Sequence, residues 1–97
     1  MTRYVVLLNF TEKGIGGIKD SVQRSAAFRA SAEKAGATVE SLFWTLGSHD
    51  GVIVLSAPDD ATAAAVVLEL GRGNAVRTTM LRAFDAEEFS GVVAKIS

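Results

Sequence analysis

The stretch Trp44-Thr45-Leu46-Gly47-Ser48-His49-Asp50-Gly51 constrains the fold more than any other part of the chain. It ends one strand-like run, turns through Gly47 and Gly51, and launches the apolar run Val52-Ile53-Val54-Leu55. Both flanking runs are short and rich in β-branched and aromatic residues, which suits strands and disfavours helices. Two such strands joined this closely form a hairpin, and the rest of the chain must pack around it. The only Trp and the only His lie in or beside the turn, so any chemistry is expected within its reach.

Before the hairpin, Tyr4 to Phe10 is β-branched and aromatic and reads as a first strand. Gly14, Gly16 and Gly17 then predict a turn, and the Asp20/Gln23 spacing predicts a capping box opening a helix from about Ser21 to Ala35. Ile18, Ser21, Val22, Ser25, Phe28, Ala32 and Ala35 form its small-to-apolar stripe, and Gly36 is a natural residue to end it. From Thr38 the period changes to two, which places Val39 and Phe43 on one face and Leu42, Trp44 and Leu46 on the other. After the strand Gly51 to Ala57, Pro58-Asp59-Asp60 opens an alanine-rich helix over Ala61 to Leu70, closed by Gly71 and Gly73. Ala75 to Phe84 alternates again, and Asp85 with Glu88 makes a capping box for a short helix through Val93.

The resulting order, β-α-β-β-α-β with a C-terminal helix, is an α+β, ferredoxin-like arrangement with a four-stranded antiparallel sheet in one domain spanning 1–97. Two helices cover one face of such a sheet. The 48% hydrophobic content and mean hydropathy of +0.27 leave large apolar side chains for the other face as well. A patch of that size is a liability in a monomer, so a homodimer packed sheet to sheet is expected. No apolar run reaches the ~20 residues that span a bilayer. The N-terminus carries no signal-peptide pattern and the chain has no cysteine, so a cytoplasmic location is expected. A net charge of −1 and the absence of a basic cluster argue against nucleic acid. The strand Val52 to Leu55 also lacks the aromatic residues on which an RNA-recognition sheet stacks bases.

Read in order, Tyr4-Val5-Val6-Leu7-Leu8-Asn9-Phe10-Thr11, Gly14-Ile15, Ile18-Lys19-Asp20-Ser21 and Arg24 resemble the start of a GYD-domain protein. The resemblance continues through Phe43-Trp44-Thr45-Leu46-Gly47, Asp50, Ala57-Pro58-Asp59-Asp60, Val76-Arg77-Thr78 and Leu81-Arg82-Ala83-Phe84. It implies the dimeric α/β-barrel variant of the ferredoxin-like fold and brings no activity with it. One position departs from the family pattern. Where Gly-x-Tyr-Asp is expected, the chain has Gly47-Ser48-His49-Asp50, so a smaller, wetter ring stands in the place of the phenol.

Five residues are candidates for a ligand site: Trp44, His49, Asp50, Arg77 and Arg82. His49 beside Asp50 suggests a proton-transfer pair, since a carboxylate fixes the tautomer of an imidazole. The favoured reading, however, is an exposed turn histidine, with Asp50 binding nearby backbone amides. His49 has no second His or Cys to share a zinc ion, so no metal is expected, and nothing points to a cofactor. Trp44 suits a pocket wall or a dimer core, with packing the favoured role. Arg77 and Arg82, five apart on one strand, face opposite sides of the sheet. Whichever faces the helices needs a carboxylate, from Asp50, Glu40 or Glu69; a structural ion pair is favoured over an anion site. Arg29 at the edge of the first helix's stripe is a similar case. Gly14, Gly16 and Gly17 do not fit a phosphate loop, because Gly-x-x-x-x-Gly-Lys-Ser/Thr is absent.

Three functions follow. A homo-oligomeric small-molecule binding or sensing module requires an apolar cavity touching Trp44 and one arginine. A structural or interaction module requires a filled core. A small cofactor-independent oxygenase- or isomerase-type enzyme requires a deep pocket with a polar pair, such as His49 and Asp50, pointing inward, and is argued by fold analogy alone. The first is preferred.

Overall fold

The computed structural model describes all residues, Met1–Ser97. Its strands are β1 (Thr2–Phe10), β2 (Thr38–Trp44), β3 (Gly51–Ala57) and β4 (Val76–Ala83). Its helices are α1 (Glu12–Gly16), α2 (Ser21–Lys34), α3 (Asp60–Arg72) and α4 (Ala86–Val93), with a single 3-10 turn at Ile18–Asp20. The strands form one antiparallel sheet in the order β2-β3-β1-β4. This is the expected ferredoxin-like α+β fold, and the starts of α3 and α4 follow the sequence chemistry closely. The Asp59 side chain accepts from Thr62 N–H at the head of α3, while Asp85 and Glu88 form the reciprocal capping box of α4.

Three local expectations are corrected. The glycine segment is a short helix rather than a simple turn, with Thr11 Oγ1 accepting from Gly14 N–H. Gly14 allows a close approach there: a Cβ at this position would stand 2.0 Å from the Ala75 carbonyl oxygen. Asp20 makes no capping hydrogen bond to α2, because the 3-10 turn running into that helix already gives the chain a near-helical path. Finally, β2 does not alternate evenly. A bulge at Glu40, between Val39 and Ser41, resets the phase. Val39 pairs with Leu55 and Leu42 with Ile53, so Val39, Leu42 and Trp44 share the helix side, and Phe43 faces the other way. The bulged Glu40 accepts from Arg3 Nε at 3.1 Å, and this hydrogen bond holds its carboxyl below the usual range.

The core lies between the sheet and α2 and α3. Tyr4, Val6, Ile53 and Leu55 are fully buried, against Ala32, Ala63, Val66 and Val67 from the helices. Burial holds the Tyr4 phenol up, helped by its hydrogen bond to Asp60 at the head of α3. The opposite face of the sheet is bare. By register, Val5 and Leu7 of β1, Val52 and Val54 of β3, Phe43 of β2 and Leu81 of β4 all point to it. Phe43 is 62% exposed there. With only 13 of 97 residues buried, the chain is a thin two-layer slab, 18 Å across its shortest axis.

Candidate functional site

The sheet and its helices do not close completely at one end. There the last residues of β1 and β2 meet the first residues of β3 and β4, through the pairs Trp44↔Gly51 and Phe10↔Val76. A cavity of about 240 Å³ opens between this end of the sheet, α2 and the segment Gly73–Val76. Leu8, Phe10, Leu42, Ile53, Phe28 and Leu70 supply its apolar walls, and Trp44 stands at its edge. The cause is visible in the sequence of the walls. Gly51 occupies the column continued by Ile53 and Leu55 yet has no side chain, and α2 offers Ser21 and Ser25 where a packing helix would carry larger apolar groups.

Asp50 also lines this cavity. Its Oδ2 accepts from Phe10 N–H at 2.8 Å, while its own N–H donates to Leu8 O and its carbonyl accepts from Thr45 N–H. The residue thereby ties the hairpin to the end of β1. His49 goes to the other side. Its Nδ1 lies 3.0 Å from Asn9 Oδ1, and it borders a shallow depression with Leu7, Leu46 and Val52 on the bare face. His49 and Asp50 therefore do not form a proton-transfer pair: adjacent residues leaving an extended segment point to opposite faces.

Neither candidate arginine reaches the cavity. Arg77 lies across from Asn9 on the bare face. Arg82 has the helix-side phase, opposite Tyr4, but lies on the edge strand; it pairs with Glu88 of α4 at 3.6 Å and lies 4.4 Å from the Phe84 ring centroid. The three carboxylates proposed as its partner are engaged elsewhere: Asp50 with Phe10 N–H, Glu40 with Arg3, and Glu69 with Arg72. Arg29 donates to the Val39 carbonyl.

The basic residues that do line the cavity are Lys13 and Arg24. Neither is among the five candidates that the sequence pattern suggests. The available signal was the i, i+3, i+4, i+7 spacing of Ser21, Arg24, Ser25 and Phe28, which gives one helix face an unusually polar character. No group of three or more His, Cys, Asp or Glu side chains is placed to hold a metal ion, and no helix is long and apolar enough to cross a membrane.

Comparison with known proteins adds family and fold. The sequence model described as GYD domain matches residues 4–93. Among solved structures, the chain superposes on MtbAldR (Rv2779c) with a TM-score of 0.68 at 16% identity, over 87% of this chain and 52% of that one. It also superposes on TTHA0845 from Thermus thermophilus with a TM-score of 0.57 at 22% identity, over 89% and 96% of the two chains. The chain thus spans about half the length of MtbAldR. No curated protein gives a significant match.

Proposed function

We propose that this chain, which belongs to the GYD-domain family, is a homodimeric small-molecule binding module holding its ligand between helices and sheet. The observation that carries this proposal is the cavity beside Trp44. It is mainly apolar, with a few polar groups at its boundary, which is the usual constitution of a ligand pocket. A filled core would instead suit a purely structural module. The separation of His49 from Asp50 takes one candidate polar pair away from the enzymatic alternative.

Surface area supports the dimer. A folded monomer of 10.2 kDa exposes about 5,300 Å² by the usual size scaling, whereas this chain exposes 6368 Å². The excess of about 1,000 Å², to which the exposed helix α4 and the tail after it also contribute, is comparable with the ~800 Å² that one partner buries in a standard interface. The radius of gyration, 14.6 Å, also exceeds the ~12.5 Å of a compact domain of this length. The bare apolar face of the sheet is the self-complementary surface available for a twofold contact.

Trp44 is the single tryptophan and borders the cavity, so it reports occupancy directly. The test is titration with the neutral fluorescent probe N-phenyl-1-naphthylamine, excited by energy transfer from Trp44. Saturable binding that is lost in Ser25→Leu, whose larger side chain would fill the space, is the expected result. Absence of saturable binding, or binding indifferent to Ser25→Leu, contradicts a ligand site here.

A further inference from the structure

We infer that the cavity is built for a ligand with an apolar body and a single anionic head, a monocarboxylate in the simplest case, received by Arg24 and Lys13. The inference rests on the cavity being a ligand site and specifies what it takes. Of the residues lining it, Lys13 and Arg24 are the cations and Asp50 is the only acid. Asp50 is already committed, holding Phe10 N–H at 2.8 Å. Neither cation has a carboxylate within ion-pair distance: the acids engaged in ion pairs are Glu40, Asp85, Glu69 and Glu88, all with other arginines.

Instead, both cations are steadied by backbone carbonyls. Arg24 Nη2 donates to Gly17 O at 2.8 Å, and Lys13 Nζ donates to Gly73 O at 2.9 Å. A guanidinium has five N–H donors and an ammonium three, so each keeps donors for a ligand oxygen. Gly17 helps set this arrangement: a Cβ there would stand 3.1 Å from an Arg24 guanidinium nitrogen, so its lack of a side chain lets the head group lie against the backbone. Both cations are solvent-exposed, and two positive charges against one committed negative bias this boundary toward a monoanionic head, while the apolar walls take the hydrocarbon.

The test is displacement of N-phenyl-1-naphthylamine from the purified protein by octanoate and by 1-octanol, which share a chain length and differ in head charge. Octanoate is expected to displace the probe at about 10- to 100-fold lower concentration, the range set by a charge-assisted hydrogen bond. Arg24→Gln should remove most of that preference and leave the octanol midpoint unchanged. Lys13→Gln, which alters a different segment, should reduce it too, and circular dichroism establishes that both variants are folded. Octanol displacing as well as octanoate, or an octanoate preference that survives in both variants, overturns the anion inference and leaves the pocket standing. Failure of the neutral probe to bind at all removes the pocket, and the anion inference with it.

Discussion

Replacing Gly14 by Ala tests whether α1 is clamped against the start of β4, where it flanks the cavity. A Cβ at Gly14 would lie 2.0 Å from the Ala75 carbonyl oxygen, and real Cβ contacts are essentially never under 3.0 Å. The obstruction is backbone, so it cannot swing aside, and α1 must retreat by roughly an ångström. That motion pulls on Thr11 N–H to Ala75 O at 3.1 Å and Thr11 Oγ1 to Asn74 O at 2.5 Å. Two hydrogen bonds at about 1 kcal/mol each and overpacking of about 1–3 kcal/mol outweigh a gain in helix propensity of at most about 1 kcal/mol. The net loss is about 2–4 kcal/mol, and at about 4–8 °C per kcal/mol for a domain of this size Tm falls by about 10 °C or more. Gly16→Ala is the internal control. Nothing lies within 4 Å of its Cβ position, so Tm should hold or rise slightly. Melts followed by circular dichroism at equal protein concentration make the comparison, since a dimer's Tm depends on concentration. A Gly14→Ala protein as stable as Gly16→Ala would refute the clamp.

Other predictions follow from the same geometry. Val54→Glu places a charge in the middle of the bare face, and light scattering should find the wild type dimeric and the variant monomeric but folded; an unchanged dimer would place the interface elsewhere. His49→Tyr, the residue that the resemblance implies here, should leave octanoate affinity within about twofold, because His49 borders the bare face rather than the cavity; a tenfold change would put it in the ligand site. Asp59 is held below its ordinary value of 3.8 by Thr62 N–H, so its stabilisation is present above that pH and is lost as pH falls through the lower folded value. Asp59→Asn keeps a cap but cannot titrate, and its Tm should fall less steeply than wild type below about pH 4; identical acid limbs would contradict the assignment.

The elements legible in the sequence were those set by local chemistry. The capping box of Asp85 and Glu88, the alternation of β4 and the breaks at Pro58 and Gly36 each act over a few residues, and each lies where expected. What escaped depended on distant partners. The bulge at Glu40 is pinned by Arg3, thirty-seven residues away, and it alone decides that Trp44, not Phe43, faces the helices. Helix α1 was hidden by its glycines, whose low helix propensity is overridden at Gly14 by close packing on Ala75. Of the candidate site, Trp44 and Asp50 came from the hairpin itself and do line the cavity. Its cations come from α1 and α2 and reach it only through the fold. Pattern alone favoured Arg77 and Arg82 because they sit on a strand, where facing is easy to count, whereas a helix that turns Ser21 and Ser25 inward looks merely weakly amphipathic.

Native mass spectrometry of freshly purified wild-type and Ser25→Leu protein tests the central claim, a dimer with a ligand cavity in each subunit, most directly. A wild-type dimer carrying extra mass, released on denaturation and missing from Ser25→Leu, is the predicted result. A wild-type protein that is a bare monomer, or that retains the same mass as Ser25→Leu, would contradict it.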